Sequence, residues 1–194
     1  MIGLRYIEKI REYCDYVERH LQNVAASWER IQDACWSERF VWDDFYFHVI
    51  DALVKEHDLS KFSTEEFIQY QRNFYPVDGD KSEADREAFR VAWAHHEASN
   101  PHHWQNWTRD VPWKPWEQEC HCVTMVIDWM AMGIEFGDTA ESYYEANRDK
   151  IHIPKWAESL LATIFQRLRE YDSRQPTPHT NRARARDPQQ EQDA

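Results

Sequence analysis

The chain has 194 residues, of which 30% are charged, and its formal net charge at pH 7 is −12. This length is sufficient for one domain with a substantial hydrophobic core. The acidic balance gives no sign of a basic surface, so we expect no long nucleic acid as a partner. A small anionic substrate needs only one local positive centre. No apolar run approaches the roughly 18 residues of a membrane-spanning helix, so we expect no membrane association.

Cysteine, glycine and aromatic usage bear on the compartment and the fold class. The four cysteines, Cys14, Cys35, Cys120 and Cys122, have none of the spacings of a zinc finger or ribbon. The N-terminal residues become charged at Arg5, unlike a signal peptide, and we expect free thiols in the cytoplasm. Only four glycines occur, which favours an all-α fold. The high aromatic content makes a homodimer reasonable.

The first predicted helix spans residues 4 to about 35, where apolar residues recur at helical spacing. His20 follows Val17 by three residues and precedes Val24 by four, so it lies on or beside the buried face. A single histidine at such a position is usually a core residue bonded to a backbone carbonyl. The ligand candidates that follow in the chain favour a metal ligand instead.

A second helix is predicted for residues 38–58, because this stretch is rich in Phe and Trp and apolar on nearly all sides. It should be central and mostly buried. His57 and Asp58 lie at its C-terminal end, where an ionised carboxylate is costly to bury unless it is paired or bound to a metal. The segment 63–66 (Ser-Thr-Glu-Glu) is a capping-box pattern that predicts the start of a third helix.

A fourth helix is predicted to begin at Ser82 and to run through Glu97 until Asn100, because the residue before a proline avoids the α region. A loop follows. Four histidines occur within nine residues at this point: His95, His96, His102 and His103. They are either incidental histidines of an exposed loop or metal ligands, and imidazole is the commonest metal ligand.

A fifth helix is predicted for roughly residues 116–136, with apolar residues on both sides of Asp128. A carboxylate in such a stripe requires a compensating cation. That cation is either a metal or an Arg or Lys from another helix.

Two more helices are predicted, one opening near Asp138 and one at Pro154. From residue 172 onward the composition changes to Ser, Arg, Gln, Pro and Asp, and apolar residues almost vanish. We therefore expect one helical domain over residues 1–171 and a disordered tail over residues 172–194.

The motif that connects these residues is the segment 57–61, His-Asp-Leu-Ser-Lys. With the histidine upstream, the paired histidines downstream and the late aspartate, the chain reads His … His-Asp … His-His … Asp. This order resembles that of the HD-domain superfamily of metal-dependent phosphohydrolases. The pentapeptide is similar to the family's His-Asp-(Ile/Leu)-Gly-Lys, with Ser60 in place of glycine. The resemblance implies an HD-domain-like helical bundle of about six to seven helices.

Two further likenesses narrow the comparison. His95-His96-Glu97 is similar to the His-His-Glu of the HD-GYP branch, whose members bind two metals. The Gly-Tyr-Pro of that branch is missing, which counts against cyclic dinucleotide hydrolysis. Residues 5 to about 150 also look like a family of small uncharacterised bacterial and phage proteins, which implies the fold and assigns no reaction.

The resemblance also implies a role for each candidate residue, with one or two divalent metals that are manganese, iron, cobalt, nickel or zinc. The implied metal ligands are His20, His57, Asp58, His95, His96 and Asp128. Lys61 would neutralise a phosphate oxygen of the substrate, and Glu97 or Glu66 would accept a proton, although an exposed helical glutamate is the commoner role for both. His102 and His103 would bind a leaving group or complete the metal shell, and Asn100 would do the same or cap the helix end.

Three functions follow from this reasoning and are open on sequence alone. The first is a phosphohydrolase acting on a nucleotide or another small phosphorylated metabolite. The second is an HD-fold oxygenase with two irons, which the surplus of histidines and the position of Lys61 permit. The third is a non-catalytic module that binds a protein through its aromatic surface, for which Lys61→Ala would leave function intact.

Overall fold

The structure is a computed structural model that describes residues 2–77, 79, 81–108 and 112–175. Across these ranges it contains nine α-helices and one 3₁₀ helix and no strand, so the all-α prediction is confirmed. The α-helices are α1 (Ile2–Ala34), α2 (Arg39–Trp42), α3 (Asp44–Lys55), α4 (Phe67–Phe74), α5 (Glu83–Ser99), α6 (Trp104–Trp107), α7 (Pro115–Phe136), α8 (Ala140–Asn147) and α9 (Lys155–Asp172). Of these, α2 and α6 are single turns of four residues, and the other seven agree with the expected number of helices.

Helices α1 and α7 pack along each other and form the centre of the fold. Helices α3 and α9 pack against both of them, and the four together enclose the larger hydrophobic core. Helix α7 starts with Pro115, whose ring is preorganised for a first helical position. It ends at Gly137, whose φ of 78° closes the helix in a conformation that favours glycine.

A smaller core lies between the N-terminal half of α1 and helices α4 and α5. Its buried members are Tyr13, Tyr16, Val17, Tyr70, Phe89 and Ala92. The rings of Tyr70 and Phe89 meet edge to face with their centroids 5.0 Å apart, which is a favourable aromatic contact. Since Val17 belongs to the smaller core and Val24 to the larger one, His20 lies where the two cores meet.

The helix predicted for residues 38–58 is wrong in extent, because Asp43 interrupts it. The backbone N–H of Phe45 donates a hydrogen bond of 3.0 Å to the Asp43 carboxylate, which caps α3 after the single turn α2. Helix α3 then ends at Lys55, so the His-Asp pair lies beyond it. This region is also less buried than predicted, since Phe45 is 51% exposed.

The third predicted helix is present as α4, but it begins at Phe67, later than the capping pattern at residues 63–66 indicates. A short 3₁₀ helix, Leu59–Phe62, precedes α4, and the side chain of Glu66 is buried. Helix α5 begins after Ser82, as predicted, with a capping box. Helix α6 falls within the stretch that was expected to be a loop.

Helix α9 ends at residue 172, and the division into a helical domain and a tail stays a prediction. Residues 176–194 of the predicted tail lie outside the described residues. All four cysteines are free thiols, as expected. None of the helices in the described ranges combines the length and apolarity that crossing a bilayer requires.

Candidate metal centre

Separate elements bring four potential metal ligands together at the junction of the two cores. His20 comes from α1 and Asp128 from α7, and the turn after α3 supplies the other two, His57 and Asp58. The side chains of His57 and Asp58 are 2% exposed, that of His20 is 3% exposed and that of Asp128 is 15% exposed. Polar groups buried to this degree require partners of opposite charge or a bound cation.

The donor atoms of His20, His57 and Asp58 lie within 4.8 Å of one another, and Asp128 lies close to the two histidines. His20 Nε2 lies 3.2 Å from His57 Nε2 and 3.2 Å from Asp58 Oδ2. Asp128 Oδ1 lies 3.3 Å from His20 Nε2 and 3.2 Å from His57 Nε2. Two ligands bound to one metal at about 2.1 Å are about 3.0 Å apart at a right angle and about 3.4 Å apart at a tetrahedral angle. The spacings of His20, His57 and Asp58 therefore fit a shared divalent metal.

The backbone of Asp58 is left-handed, with φ of 57°, and among the described residues no other non-glycine residue has a positive φ. The two oxygens of its carboxylate face different partners. Its Oδ2 faces His20 and lies 3.5 Å from His57 Nε2. Its Oδ1 lies 3.4 Å from His96 Nε2 and is buried without a hydrogen-bond partner among the described residues. A buried carboxylate oxygen of this kind is an apt metal ligand, because leaving it unpaired is unfavourable.

Lys61 lies at the edge of the cluster. Its Nζ is 2.8 Å from Asp58 Oδ2 and 5.8 Å from the centroid of the Tyr70 ring. Burial disfavours the lysine's charge, but the Asp58 carboxylate outweighs it and holds the pKa of Lys61 well above its usual value. The lysine therefore neutralises Asp58, and its contact with a phosphate oxygen stays a prediction.

The pKa shifts show how the protein balances the charges of the cluster. Burial opposes the charge of His20, but hydrogen bonds to Asp128 and Asp58 raise the pKa of His20 to about 9. Burial also opposes ionisation of both aspartates. The charges of His57 and Lys61 hold the pKa of Asp58 well below its usual value, and hydrogen bonds from the two histidines do the same for Asp128. Protonated His20 and Lys61 thus offset the two carboxylates in the metal-free protein.

A second group of imidazoles adjoins the first. Ring nitrogens of His96, His102 and His103 lie within 4.8 Å of one another, and His102 forms a further group with His57 and Asp128. Burial, followed by the charge of neighbouring histidines, lowers the pKa of His102 well below its usual value and that of His103 to about 3. Both rings are therefore neutral near pH 7, which is the state in which imidazole binds metals.

Residues 9–170 match a family described as a family of unknown function (DUF5662). The chain belongs to this family. No curated protein and no solved structure matches the chain. An uncharacterised family agrees with the sequence prediction, and the likeness to the HD-domain superfamily stays a prediction.

In this DUF5662 chain the two adjacent histidines of α5 have different surroundings. His96 is 2% exposed and belongs to a ligand group. His95 has a 39% exposed side chain and joins none of the groups found among the described residues, so the structure does not bring this predicted ligand to the cluster. Helical periodicity explains the difference, because His96 follows the buried Ala92 by four residues, whereas His95 lies on the neighbouring face.

Glu66 is fully buried, in contrast to the exposed glutamate expected as the commoner case. Its Oε2 lies 2.9 Å from His96 Nδ1 and accepts a hydrogen bond of 3.0 Å from Ser60 Oγ, and its Oε1 lies 2.7 Å from His95 Nδ1. Burial opposes its charge, but the hydrogen bond and charge of His96 lower the pKa of Glu66 below its usual value. A carboxylate bonded to Nδ1 leaves Nε2 to face the metal site, which is the usual arrangement behind a metal-binding histidine. This geometry suits an orienting role better than the predicted role as proton acceptor.

Asn100 joins the same network. Asn100 ends α5, and its Nδ2 donates hydrogen bonds of 2.7 Å to Ser60 Oγ and to the His96 carbonyl. Glu97 is half-buried and belongs to none of the ligand groups found in the described ranges. The serine was noted in the sequence only as a replacement for glycine, and its part in this network was not foreseen.

Two clefts border the candidate metal centre of this DUF5662 chain. One cleft is lined by Lys61 and is called the lysine cleft. The other is lined by Phe136 and is called the aromatic cleft. Both are lined by His102, His103, Asp128 and Met132. Sequence reasoning missed the aromatic cleft, although a signal was present. Met132 and Phe136 follow Asp128 by four and eight residues, which places them on one face of α7.

Proposed function

We propose that the protein is a metal-dependent phosphohydrolase that acts on a small phosphorylated metabolite. The observation that carries the proposal is the convergence of His20, His57 and Asp58 at the spacing of metal ligands, with Asp128 Oδ1 3.3 Å and 3.2 Å from the nitrogens of the two histidines. Two imidazoles and two carboxylates suit manganese, iron, cobalt, nickel or zinc. When bound, such a metal supplies a Lewis acid for a phosphate oxygen and lowers the pKa of a water molecule towards neutrality.

The side chains of the site divide the remaining tasks. Asp58 Oδ1, together with His96 and His102, offers donors for a second metal. Lys61 lines the lysine cleft, so once the charge of Asp58 is offset by another cation, its Nζ can donate to a phosphate oxygen. His103 has a buried Nε2 without a hydrogen-bond partner among the described residues, and this nitrogen can donate to or accept from the leaving oxygen.

The metal content of the purified protein tests the proposed centre. Mass spectrometry should find a stoichiometric transition metal in the wild type and none in the variant His57→Ala/Asp58→Ala. A control variant, Asp44→Ala/His48→Ala, removes the same two side-chain types from the exposed face of α3 and should retain the metal. Equal metal in all three proteins, or no uptake on titration, would contradict the centre and favour the protein-binding module.

Phosphate release tests the reaction. With Mn²⁺ present, the wild type should release inorganic phosphate from small phosphate monoesters, and the His57→Ala/Asp58→Ala variant should not. A protein that binds metal in stoichiometric amount but releases phosphate from no ester would refute hydrolysis and leave the metal centre standing.

The adjoining imidazole group favours one alternative, the di-iron oxygenase, because it supplies donors for a second metal. This reading predicts two irons per chain and substrate oxidation only in the presence of air. Turnover with Mg²⁺ or Zn²⁺ alone would exclude it, since neither ion changes its redox state.

A further inference from the structure

The aromatic cleft lies beside Asp128 of α7 and is partly open to solvent. Its walls are mainly rings and thioethers, supplied by Trp104, Met125, Trp129, Met132, Phe136 and Tyr143. The rings of Trp129 and Tyr143 pack together with their centroids 5.3 Å apart. Flat apolar walls of this kind hold planar groups by stacking and by burial of apolar surface.

The aromatic cleft borders the candidate metal centre. His102, His103 and Asp128 line it and also line the lysine cleft. A molecule bound in the aromatic cleft therefore contacts side chains that belong to the candidate centre.

The charges of the two clefts restrict what they can hold. The charged side chains that line the aromatic cleft are Asp128 and Asp138, and both are acidic. Among the residues that line the lysine cleft there is no arginine, and the lone lysine, Lys61, already pairs with Asp58. A polyphosphate carries several negative charges and would face carboxylates in the aromatic cleft. A single phosphoryl group attached to an uncharged organic group avoids this repulsion.

A buried polar atom on the lining indicates that the occupant also has a polar edge. Gln105 Oε1 is buried and has no hydrogen-bond partner among the described residues. An unpaired buried acceptor is unfavourable, and an amide oxygen can be satisfied only by a donor. An amino or hydroxyl group on the edge of a ring would provide that donor.

We propose that the aromatic cleft binds the organic group of the substrate and that this group is a flat aromatic ring system carrying a single phosphoryl group. The inference rests on the phosphohydrolase function proposed above. In the reaction, the oxygen of water bonds to phosphorus and the ester P–O bond breaks. The leaving oxygen takes a proton, and the products are inorganic phosphate and the aromatic alcohol. A phosphate directly on a ring and a phosphate one sugar away from a base share this chemistry.

Substrate selectivity tests the inference. With Mn²⁺, the wild type is compared on 1-naphthyl phosphate, adenosine monophosphate, glycerol 3-phosphate and adenosine triphosphate. At least one of the two ring monophosphates should exceed both glycerol 3-phosphate and the triphosphate in kcat/KM by about tenfold or more. Which of the two is preferred tells whether the ring lies next to the phosphate or one sugar away.

Two variants connect the selectivity to the cleft. Phe136→Ala removes a flat face and should lower the preference for the ring over glycerol 3-phosphate by about tenfold, whereas Phe136→Trp keeps a ring and should retain the preference. Asp138→Asn removes one negative charge and should reduce the discrimination against the triphosphate by about threefold. Trp36→Ala removes an indole that is 70% exposed and lines neither cleft, so it is the matched control.

Calorimetric titration with 1-naphthyl phosphate and with adenosine monophosphate separates failure of this inference from failure of the proposed function. If no ester is hydrolysed but a ring monophosphate binds, and Phe136→Ala weakens that binding by about tenfold, the cleft assignment stands and the hydrolase proposal falls. If esters are hydrolysed but glycerol 3-phosphate or the triphosphate is preferred, the cleft assignment is wrong and the hydrolase proposal stands. An unchanged preference in correctly folded Phe136→Ala and Asp138→Asn proteins would also overturn the assignment.

Discussion

Metal binding at His20 should release a proton, and lowering the pH should weaken it steeply. The pKa of His20 in the metal-free protein is raised to about 9 by its hydrogen bonds to Asp128 and Asp58. At pH 7 this ring is therefore protonated in about 99 of 100 molecules. An imidazolium cannot bind a metal, so each metal that enters must displace the proton from the ring.

The size of the effect follows from that pKa. Below pH 9 each pH unit should change the apparent metal affinity by about tenfold through His20 alone. Between pH 7.5 and pH 6.0 the loss is therefore about 30-fold, or about 2 kcal/mol. A histidine with an ordinary pKa of about 6.5 would give only about a fourfold loss over the same range.

Calorimetric titration of Zn²⁺ into the metal-free protein measures this linkage. Titrations at several pH values in buffers with different ionisation enthalpies count the protons released, and about one should leave His20 at pH 7. The variant His20→Gln has no proton to lose at this position. Its apparent metal affinity should therefore not show the about 30-fold loss between pH 7.5 and pH 6.0 that His20 causes in the wild type. The reasoning would be refuted if the wild type and the variant had the same pH dependence.

Three substitutions test other parts of the structure. Asp58→Asn should lower the free energy of unfolding of the metal-free protein by about 3–5 kcal/mol, because Lys61 would keep a buried charge without its partner; an unchanged urea midpoint would contradict this. Glu66→Gln keeps the side-chain volume but should weaken metal binding by about 10- to 100-fold, and Glu65→Gln, at the exposed neighbouring position, should not. Gly133→Ala should lower the free energy of unfolding by about 1–3 kcal/mol, since the new Cβ would lie 2.6 Å from a backbone oxygen of the segment between α7 and α8. A melting temperature equal to that of the wild type would contradict this prediction, because it would mean that the segment between α7 and α8 shifts at no cost to admit the new Cβ.

Helical periodicity made much of the site predictable. His20 and Asp128 were selected because they lie on apolar stripes, and both are packed at the junction of the cores. Both His95 and His96 were predicted as ligands, and the structure separates them, since His96 lies four residues after the buried Ala92. Periodicity succeeds here because it specifies which face of a helix is buried, and a buried ionisable residue needs a partner.

The rest depends on contacts between distant segments, which no local pattern encodes. The segment 63–66 has the residues of a capping box, yet Glu66 bonds to histidines 29 and 30 residues later. Asp43 ends one helix and caps the next, although the surrounding aromatic residues indicate a continuous helix. In both cases a polar side chain has a choice of partners, and the tertiary structure decides between them.

The left-handed backbone at Asp58 bears on how this site can change during evolution. Glycine, asparagine and aspartate adopt such a conformation readily, whereas glutamate, which carries the same charge, does not. His20 lies within a regular helix, whose backbone conformation suits many residue types. At that position only the chemistry of the side chain restricts which residue is accepted. Glycine and asparagine should therefore be the substitutions at position 58 that strain the backbone least, although both leave Lys61 without its carboxylate partner. In a saturation library, aspartate alone should satisfy both the left-handed backbone and the buried lysine.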